Sequence, residues 1–452
     1  MQITADLHLH SKYSRAVSPQ MVLPTMSLWA AKKGLDLLAT ADWTHPLWFK
    51  ELESQLEEDS EGIYKVNPPS LKASEGQGDD LNKTRFILST EMANIYTDKG
   101  KGRRIHTLFF APSLAVVAKI NTKIKKRGGN LMSDGRPILG FNLEEMCELV
   151  WGVDERVMVI PAHAWTPWFS MFGSKSGFDS IEECFGKYAA KIYSVETGLS
   201  SDVLMNWKIK DLETRTIISN SDSHSPRKMG REATVLELGQ KKYSFADVVQ
   251  ALKMGVSETN KIAYTIEFHP EEGKYHYTGH RVCKVVQSPE ETRQKGAICH
   301  VCGRPLTVGV EHRVEELAAY HDLKPVEKMN ENGVKGYFHP TDKTRPPYVM
   351  LVPLQEIIAE SIGVGTASKK VDELYEKMIS GLGNELKILL KTDLKIIAAV
   401  GGEKVAEGIK KVRSGDMVVE PGYDGVFGVV KIWASQKETN GDKLISDQTS
   451  LF

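Results

Sequence analysis

Asp6-Leu7-His8-Leu9-His10 is the stretch from which the fold of this chain is read. Side chains alternate along an extended strand, so two histidines one residue apart project to the same side. Ile3, Ala5, Leu7 and Leu9 take the other side. A buried strand ending in two imidazoles aimed at one point suits a metal ion. Two unrelated histidines on an exposed strand would read the same, so the weight falls on whether the pattern recurs.

It recurs. The apolar run Leu35 to Ala41 stops at Asp42, with His45 three residues on. Phe86 to Ser89 stops at Glu91, Val157 to Ile160 at His163, and Ile192 to Val195 at Glu196. Thr216 to Ser219 stops at Asp222-Ser223-His224. Helical spacing lies between several of these, over Pro19 to Lys33 with Gly34 ending it, Leu143 to Val150, Ile181 to Tyr188, Ser201 to Leu212 and Phe245 to Met254. Strands alternating with helices predict a parallel α/β barrel over residues 1–258, with its site at the carboxyl ends of the strands. His106 is the exception. It begins the run Thr107 to Phe110, and reaches the centre only if that strand enters from the other direction.

The candidate metal ligands are His8, His10, Asp42, His45, Glu91, His106, His163, Asp222 and His224. Imidazole and carboxylate without thiolate suit Zn, Mn or Fe rather than Mg alone. Nine donors exceed what one tetrahedral ion needs, so two or three divalent ions (Zn, Mn or Mg) are expected. Such a centre activates water and neutralises a phosphoryl oxygen, which points to hydrolysis of a phosphate ester. Asp222, His10 and His163 are the candidates for catalytic roles, Asp222 by orienting the water.

This order of ligands resembles the polymerase and histidinol phosphatase (PHP) superfamily. The resemblance implies a distorted seven-stranded PHP-type barrel with a two- or three-ion phosphoesterase centre. Many members carry a further histidine shortly after the first pair. Here that stretch reads Ser11-Lys12-Tyr13-Ser14-Arg15-Ala16, so either Asp42 substitutes or one ion is held more weakly.

The 452 residues carry a net charge of −1, so no overall field draws nucleic acid, and any such binding must come from local patches. Lys99 to Arg104 precedes His106, and Lys123 to Arg127 is followed by Gly128-Gly129 and later Arg136. Within them Arg104, Lys125, Lys126 and Arg127 are candidates for phosphate contact. Aromatic residues crowd the ligand loops: Trp43, Trp48, Trp165, Trp168, Phe169 and Phe172. Trp165, Trp168 and Phe169 are the candidates for stacking an extruded base, with packing of the barrel rim as the alternative. Glu196 is placed with them as a substrate contact. Lys72 to Lys83 reads as a long surface loop. The first residues read as a strand rather than a signal peptide, and no apolar run approaches membrane-spanning length. Five cysteines, three of them crowded together, suit a reducing compartment, so a cytoplasmic protein with no membrane partner is expected.

The crowded cysteines define a second metal. His280-x2-Cys283 and Cys299-x2-Cys302, with fifteen residues between them, read as a zinc ribbon over 259–325. His312 is the alternative fourth ligand, and His280 completes a symmetrical pair. With four protein ligands the zinc has no open position and serves the fold. A PHP-like barrel followed by this ribbon, with Ala162-His-Ala-Trp-Thr-Pro-Trp168, Glu196-Thr-Gly-Leu-Ser-Ser-Asp202 and Ser219-Asn-Ser-Asp-Ser-His224, resembles the endonuclease Q family. The resemblance runs from Asp6 to about Trp433. It implies cleavage of double-stranded DNA on the 5′ side of deaminated bases such as uracil, hypoxanthine and xanthine, and of abasic sites.

Residues 326–433 read as a mainly helical DNA-side domain. Pro340, Pro346 and Pro347 mark its entry, and helices are expected over Leu354 to Ile362, Lys370 to Ser380, Glu385 to Leu390 and Glu403 to Val412. Residues 434–452 are polar and aperiodic, ending Gln448-Thr-Ser-Leu451-Phe452. That ending resembles the short peptide by which bacterial repair proteins dock on the sliding clamp, with Gln448, Leu451 and Phe452 as its contacts. Two other functions fit parts of the pattern: a phosphatase of a small phosphate monoester, and a zinc-dependent DNA-binding adaptor with an inactive barrel.

Overall fold

The computed structural model describes residues 1–67, 83–253 and 258–433. The segment 434–452, with Gln448, Leu451 and Phe452, lies outside the described residues, as does the expected surface loop up to residue 82. Strands β1 to β13 are, in order, Gln2–Asp6, Leu37–Ala39, Leu56–Ser60, Ile63–Val66, Arg85–Ile87, Ser89–Asp98, Lys101–Phe110, Ile138–Leu139, Met158–Pro161, Ser194–Glu196, Thr216–Ile218, Ala233–Glu237 and Lys261–Glu267.

Seven of these runs follow one another around a ring, if β5 and β6 are taken as one strand through Leu88. β1 pairs parallel with β2, and β2 with β5. β6 pairs antiparallel with β7, and β7 antiparallel with β9. The Ala164 amide donates to the Glu196 carbonyl, joining β9 to β10, and β10 pairs parallel with β11. Just past the strand ends, His10 N–H donates to the Ser223 carbonyl and Ser223 N–H to that of His8, closing β11 onto β1. One apolar core takes Ile3 and Ala5, Leu37, Ile87, Leu108 and Phe110, Ile160 and Ile218 from these strands, with Val248 and Leu252 packed into it. Six strands thus share a single core, which is how a sheet without free edges is filled.

The expected all-parallel order is corrected at β7. This strand runs against both neighbours, so His106, which begins its apolar run, still faces the end where the other strands finish. Lys101 to Arg104, expected in a loop, lie on β7, and the hairpin turns at Lys99 and Gly100, both at positive φ. Nor does the sheet stop at residue 258. β12 pairs antiparallel with β1, and β13 with β12. Beyond β14 (Thr278–His280) and β15 (Val285–Gln287) of the ribbon, β16 (Val326–Met329), β17 (Lys335–Phe338) and β18 (Tyr348–Met350) return to extend the same sheet through β13. The ribbon is therefore an insertion between strands of one sheet.

Helices follow at Leu354–Ile362, Lys369–Leu382, Glu385–Leu390, Leu394–Gly401 and Glu403–Ser414. The Lys33 ammonium, 2.7 Å from a Glu385 oxygen, ties this bundle to the barrel, and both side chains are buried. Glu385 also accepts from Tyr375 Oη at 2.9 Å and from the Leu354 amide at 3.1 Å. Gly34 has φ +91, and a Cβ there would lie 2.4 Å from Asn384 Oδ1, so only glycine ends the preceding helix at this junction. No helix among the described residues is long and apolar enough to cross a membrane.

Removing one partner of a buried ion pair strands the other charge. Lys33→Met is therefore expected to destabilise the protein by about 3 kcal/mol, read as a lower urea midpoint. Lys33→Met combined with Glu385→Gln should recover part of the loss.

Candidate metal centre

The ring brings seven of the nine predicted ligands to one mouth. They fall into three overlapping groups whose donor atoms lie within 4.8 Å of one another: His8, His10 and Glu91; His10, Asp222 and His224; Glu91, His106 and His163. Glu91 is shared by two groups. Its Oε1 stands 2.8 Å from His106 Nδ1 and 3.1 Å from His163 Nε2. Its Oε2 stands 3.4 Å from His10 Nε2 and 3.8 Å from His8 Nε2. Asp222 Oδ1 lies 3.1 Å from His10 Nε2 and 3.5 Å from His8 Nε2.

Three of the imidazoles are held from behind, leaving the other ring nitrogen for the centre. Glu196 Oε2 is 3.0 Å from His8 Nδ1, Asp42 Oδ1 is 3.3 Å from His10 Nδ1, and Ser170 Oγ is 3.2 Å from His163 Nδ1. Partners of this kind orient metal-binding histidines. They also correct two expectations. Asp42 does not substitute for the missing histidine: its Oδ2 accepts from the Ser11 amide, Ser11 Oγ and Ser14 Oγ, at 2.7 to 2.8 Å. Glu196, expected to touch substrate, is fully buried behind His8 and also accepts from Asn220 Nδ2 and the His163 amide. His45 likewise stays outside the three groups, its ring stacked on Tyr13 at 4.4 Å.

The electrostatics fit divalent cations. Burial alone would raise Glu91, but His106 and Arg136 hold it well below the carboxylate range. Burial would also raise Asp222, but His8, His10 and His224 keep it low. Burial would lower His10, yet its bonds to Asp222, Asp42 and Glu91 lift it to about 10. Burial pushes His106 down to about 4, and burial with the neighbouring His10 does the same for His224. His8 Nε2 is buried without a hydrogen-bond partner while it faces two carboxylates. Ionised carboxylates and an orphaned buried nitrogen on one point suit a hard or borderline cation, whose charge would take the place of the proton that the carboxylates otherwise draw onto His10.

The base-stacking candidates divide. Trp165 is fully buried, donates to Asn206 Oδ1 at 2.9 Å and packs on Phe172, so its faces are closed to a base. Half-buried Trp168 meets Tyr275 edge-on. Phe169, at φ +63, lies against His106 with ring centres 4.7 Å apart, and its carbonyl accepts the His106 amide. Exposed Arg104 stands 5.7 Å from the Phe169 ring, placing both at the lip of the centre. Lys125, Lys126 and Arg127 are exposed at the end of helix Leu114–Lys126, and the structure does not bring them to the donors. Sequence reasoning assigned no role at the centre to Ser11, Ser14, Asn220 and Ser170, and gave Arg136 none beyond a basic loop. No spacing marks them, because each acts through a contact that only the folded ring makes.

The second group is His280, Cys283, Cys299 and Cys302, with donors within 4.8 Å. β14 and β15 form its hairpin, and Gly303 at φ +72 turns the second knuckle. His312 faces Glu316 instead, and His300 lies outside the group.

Residues 353–416 match the family described as the MJ0043 C-terminal domain. The chain is 33% identical over 291 residues to the uncharacterized protein MJ0043 of Methanocaldococcus jannaschii, a match covering 63% of this chain but 33% of that protein. It is 29% identical over 441 residues to the uncharacterized protein YqxK of Bacillus subtilis, covering 95% of this chain and 99% of that one. Among solved structures it resembles the lesion-specific endonuclease PfuEndoQ from Pyrococcus furiosus, with TM-score 0.77, 33% identity and 95% of each chain covered. It also resembles an endonuclease Q in complex with a 27-mer duplex carrying an abasic lesion at the active site. There the TM-score is 0.78 and the identity 32%, over 97% of this chain and 100% of that one.

The three groups predict the metal content of variants. Glu91→Ala is expected to lose divalent metal from the barrel, measured by elemental analysis, while the ribbon group keeps its ion. His45→Ala should retain the full complement; a loss equal to that of Glu91→Ala would return His45 to the ligand set.

Proposed function

This chain belongs to the endonuclease Q family, and from that premise we propose that it is a DNA repair endonuclease. Its substrate is double-stranded DNA containing uracil, hypoxanthine, xanthine or an abasic site, and the bond hydrolysed is the phosphodiester 5′ to the lesion. The observation that carries this is the convergence of His8, His10, His106, His163, Asp222 and His224 around the buried carboxylate of Glu91. These residues would hold two or three ions of Zn, Mn or Mg. Such ions, when bound, polarise a water for attack and neutralise charge on the phosphoryl group.

The remaining steps belong to the chain itself. Asp42, Glu196 and Ser170 fix the rings of His10, His8 and His163, so the donors need no rearrangement when substrate arrives. Asp222 is 16% exposed at its side chain while Glu91 is closed off, so Asp222 is the carboxylate that reaches a proton at the mouth. His10 stands beside that position, and His163 lies across Glu91 from it in the group with His106. Phe169 and Arg104 stand at the lip, where an extruded nucleotide enters; extrusion is the general answer when a base edge must be inspected. His280, Cys283, Cys299 and Cys302 would hold a structural Zn that stiffens the ribbon, and the helical domain supplies a second wall for the duplex. The domain limits 1–258, 259–325, 326–433 and 434–452 describe these roles, with β13 and β16 to β18 joining the parts. A cytoplasmic location agrees with DNA as substrate.

A labelled duplex with a single uracil tests the proposal. Incubation with Mn, Mg or Zn is expected to give one nick 5′ to the uracil, with no cleavage of the undamaged duplex. Turnover of a phosphate monoester in place of the nick would contradict it. The Gln448, Leu451 and Phe452 ending supports docking on a replication sliding clamp. A chain ending at residue 447 should lose clamp capture and keep its nicking rate; equal capture by both chains would reject that partner.

A further inference from the structure

We propose that Arg136 is a substrate-contacting residue whose guanidinium takes a non-bridging oxygen of the phosphodiester being cut. The proposal rests on the endonuclease reading above.

Arg136 Nη1 donates to Glu91 Oε2 at 2.9 Å. Its side chain makes no other hydrogen bond within the protein among the described residues. A guanidinium carries five N–H groups, so most of them remain available. The Arg136 side chain is 18% exposed and that of Glu91 0%, so of the pair it is the arginine that reaches solvent.

The loop that carries Arg136 is pressed onto the centre. The Gly135 amide donates to the Tyr13 carbonyl at 3.0 Å, and Thr44 Oγ1 donates to the Gly135 carbonyl at 3.0 Å. The Arg136 amide donates to Asp134 Oδ1 at 3.1 Å. A Cβ at Gly135 would lie 2.3 Å from Ser14 Oγ and 2.4 Å from Asp42 Oδ2. Only glycine allows this approach, and the serine and aspartate it meets are those that orient His10.

A fixed positive charge on a shared metal ligand weakens the hold on cations. Arginine cannot shed its proton to relieve this. For ions alone the single bond that keeps Glu91 ionised would suffice, and the rest of the fork would have no partner. The charge is matched only when an anion enters, and the planar fork fits two oxygens of one phosphate. Arg136 and the ions would then share the charge of the same phosphoryl group.

The full chain is compared with Arg136→Met and Arg136→Lys on a uracil duplex whose scissile linkage is a normal phosphate or either phosphorothioate diastereomer. Metal content and the thermal shift caused by inorganic phosphate are measured beside the rates. Arg136→Met is expected to keep its metal and lose about 100-fold in kcat, the size seen when one donor to a developing oxyanion is removed. It should also lose the wild-type preference between diastereomers and the phosphate-induced shift, and Arg136→Lys should recover part of each. Metal lost together with activity would overturn the proposal, because Arg136 would then only hold Glu91; so would an unchanged kcat or an unchanged diastereomer preference. If the wild-type chain cuts no duplex, the endonuclease reading fails by itself. The phosphate shift and its response to Arg136→Met then still decide whether Arg136 receives an anion.

Discussion

One buried carboxylate organises the molecule. Glu91 lies within 4 Å of His8, His10, His106, His163 and Arg136, which come from four separate parts of the chain. An ionised carboxylate without such partners would not persist in an apolar interior. The ring must therefore close accurately enough for strands at residues 3, 38, 86, 108, 160, 195 and 217 to deliver their ends together. The closing bonds between His8, His10 and Ser223 lie next to the donors themselves. Fold and centre are thus one construction: opening the ring between β11 and β1 would separate His8 and His10 from Asp222.

Strand-end ligands were legible because they are local. An apolar run followed by His, Asp or Glu can be seen residue by residue, and His8, His10, Glu91, His163, Asp222 and His224, which the fold brings together, can all be read this way. His106 was uncertain because strand direction is not written in periodicity, and β7 proved antiparallel. Asp42 and His45 stand at a strand end too, yet they face elsewhere. The two serines that turn Asp42 toward His10 come from the stretch where a histidine was missed, so the departure from the family pattern and the new role of Asp42 have one cause. Arg136 was hidden among basic residues because its significance depends on Gly135 meeting Ser14 and Asp42 across the fold.

The same contrast holds at larger scale. The four residues that cluster in the ribbon were readable from spacing, and the amphipathic helices of the last domain from their phase. Helix Leu394–Gly401 was not, because Leu-Lys-Ile-Ile-Ala-Ala-Val-Gly has hardly any polar face to set a phase. Nor could spacing reveal that β13 and β18 pair in parallel across the inserted ribbon, since some eighty residues separate them. That pairing matters for function. It anchors both ends of the ribbon to the sheet that carries β1, so ribbon and barrel are joined by strands and not by a loose tether.

Backbone strain falls where the chemistry is. Asp42, His163 and Asp222 all have positive φ, at +43, +29 and +47, and each lies a few residues past the end of its strand, in the loop that follows. A non-glycine residue in this region costs on the order of 1–3 kcal/mol. Asp and His bear it better than β-branched residues do, since short polar side chains bond locally. The strain persists because each turn is held on both sides: Asp42 by Ser11 and Ser14, His163 by Glu196 and Ser170, Asp222 by the His8–Ser223 bonds. A sharp left-handed step at a strand end turns the next side chain back over the strand, toward the middle of the ring and away from solvent. Relaxed turns would let these three groups splay outward, and the carboxylate at the centre would lose the partners that keep it charged.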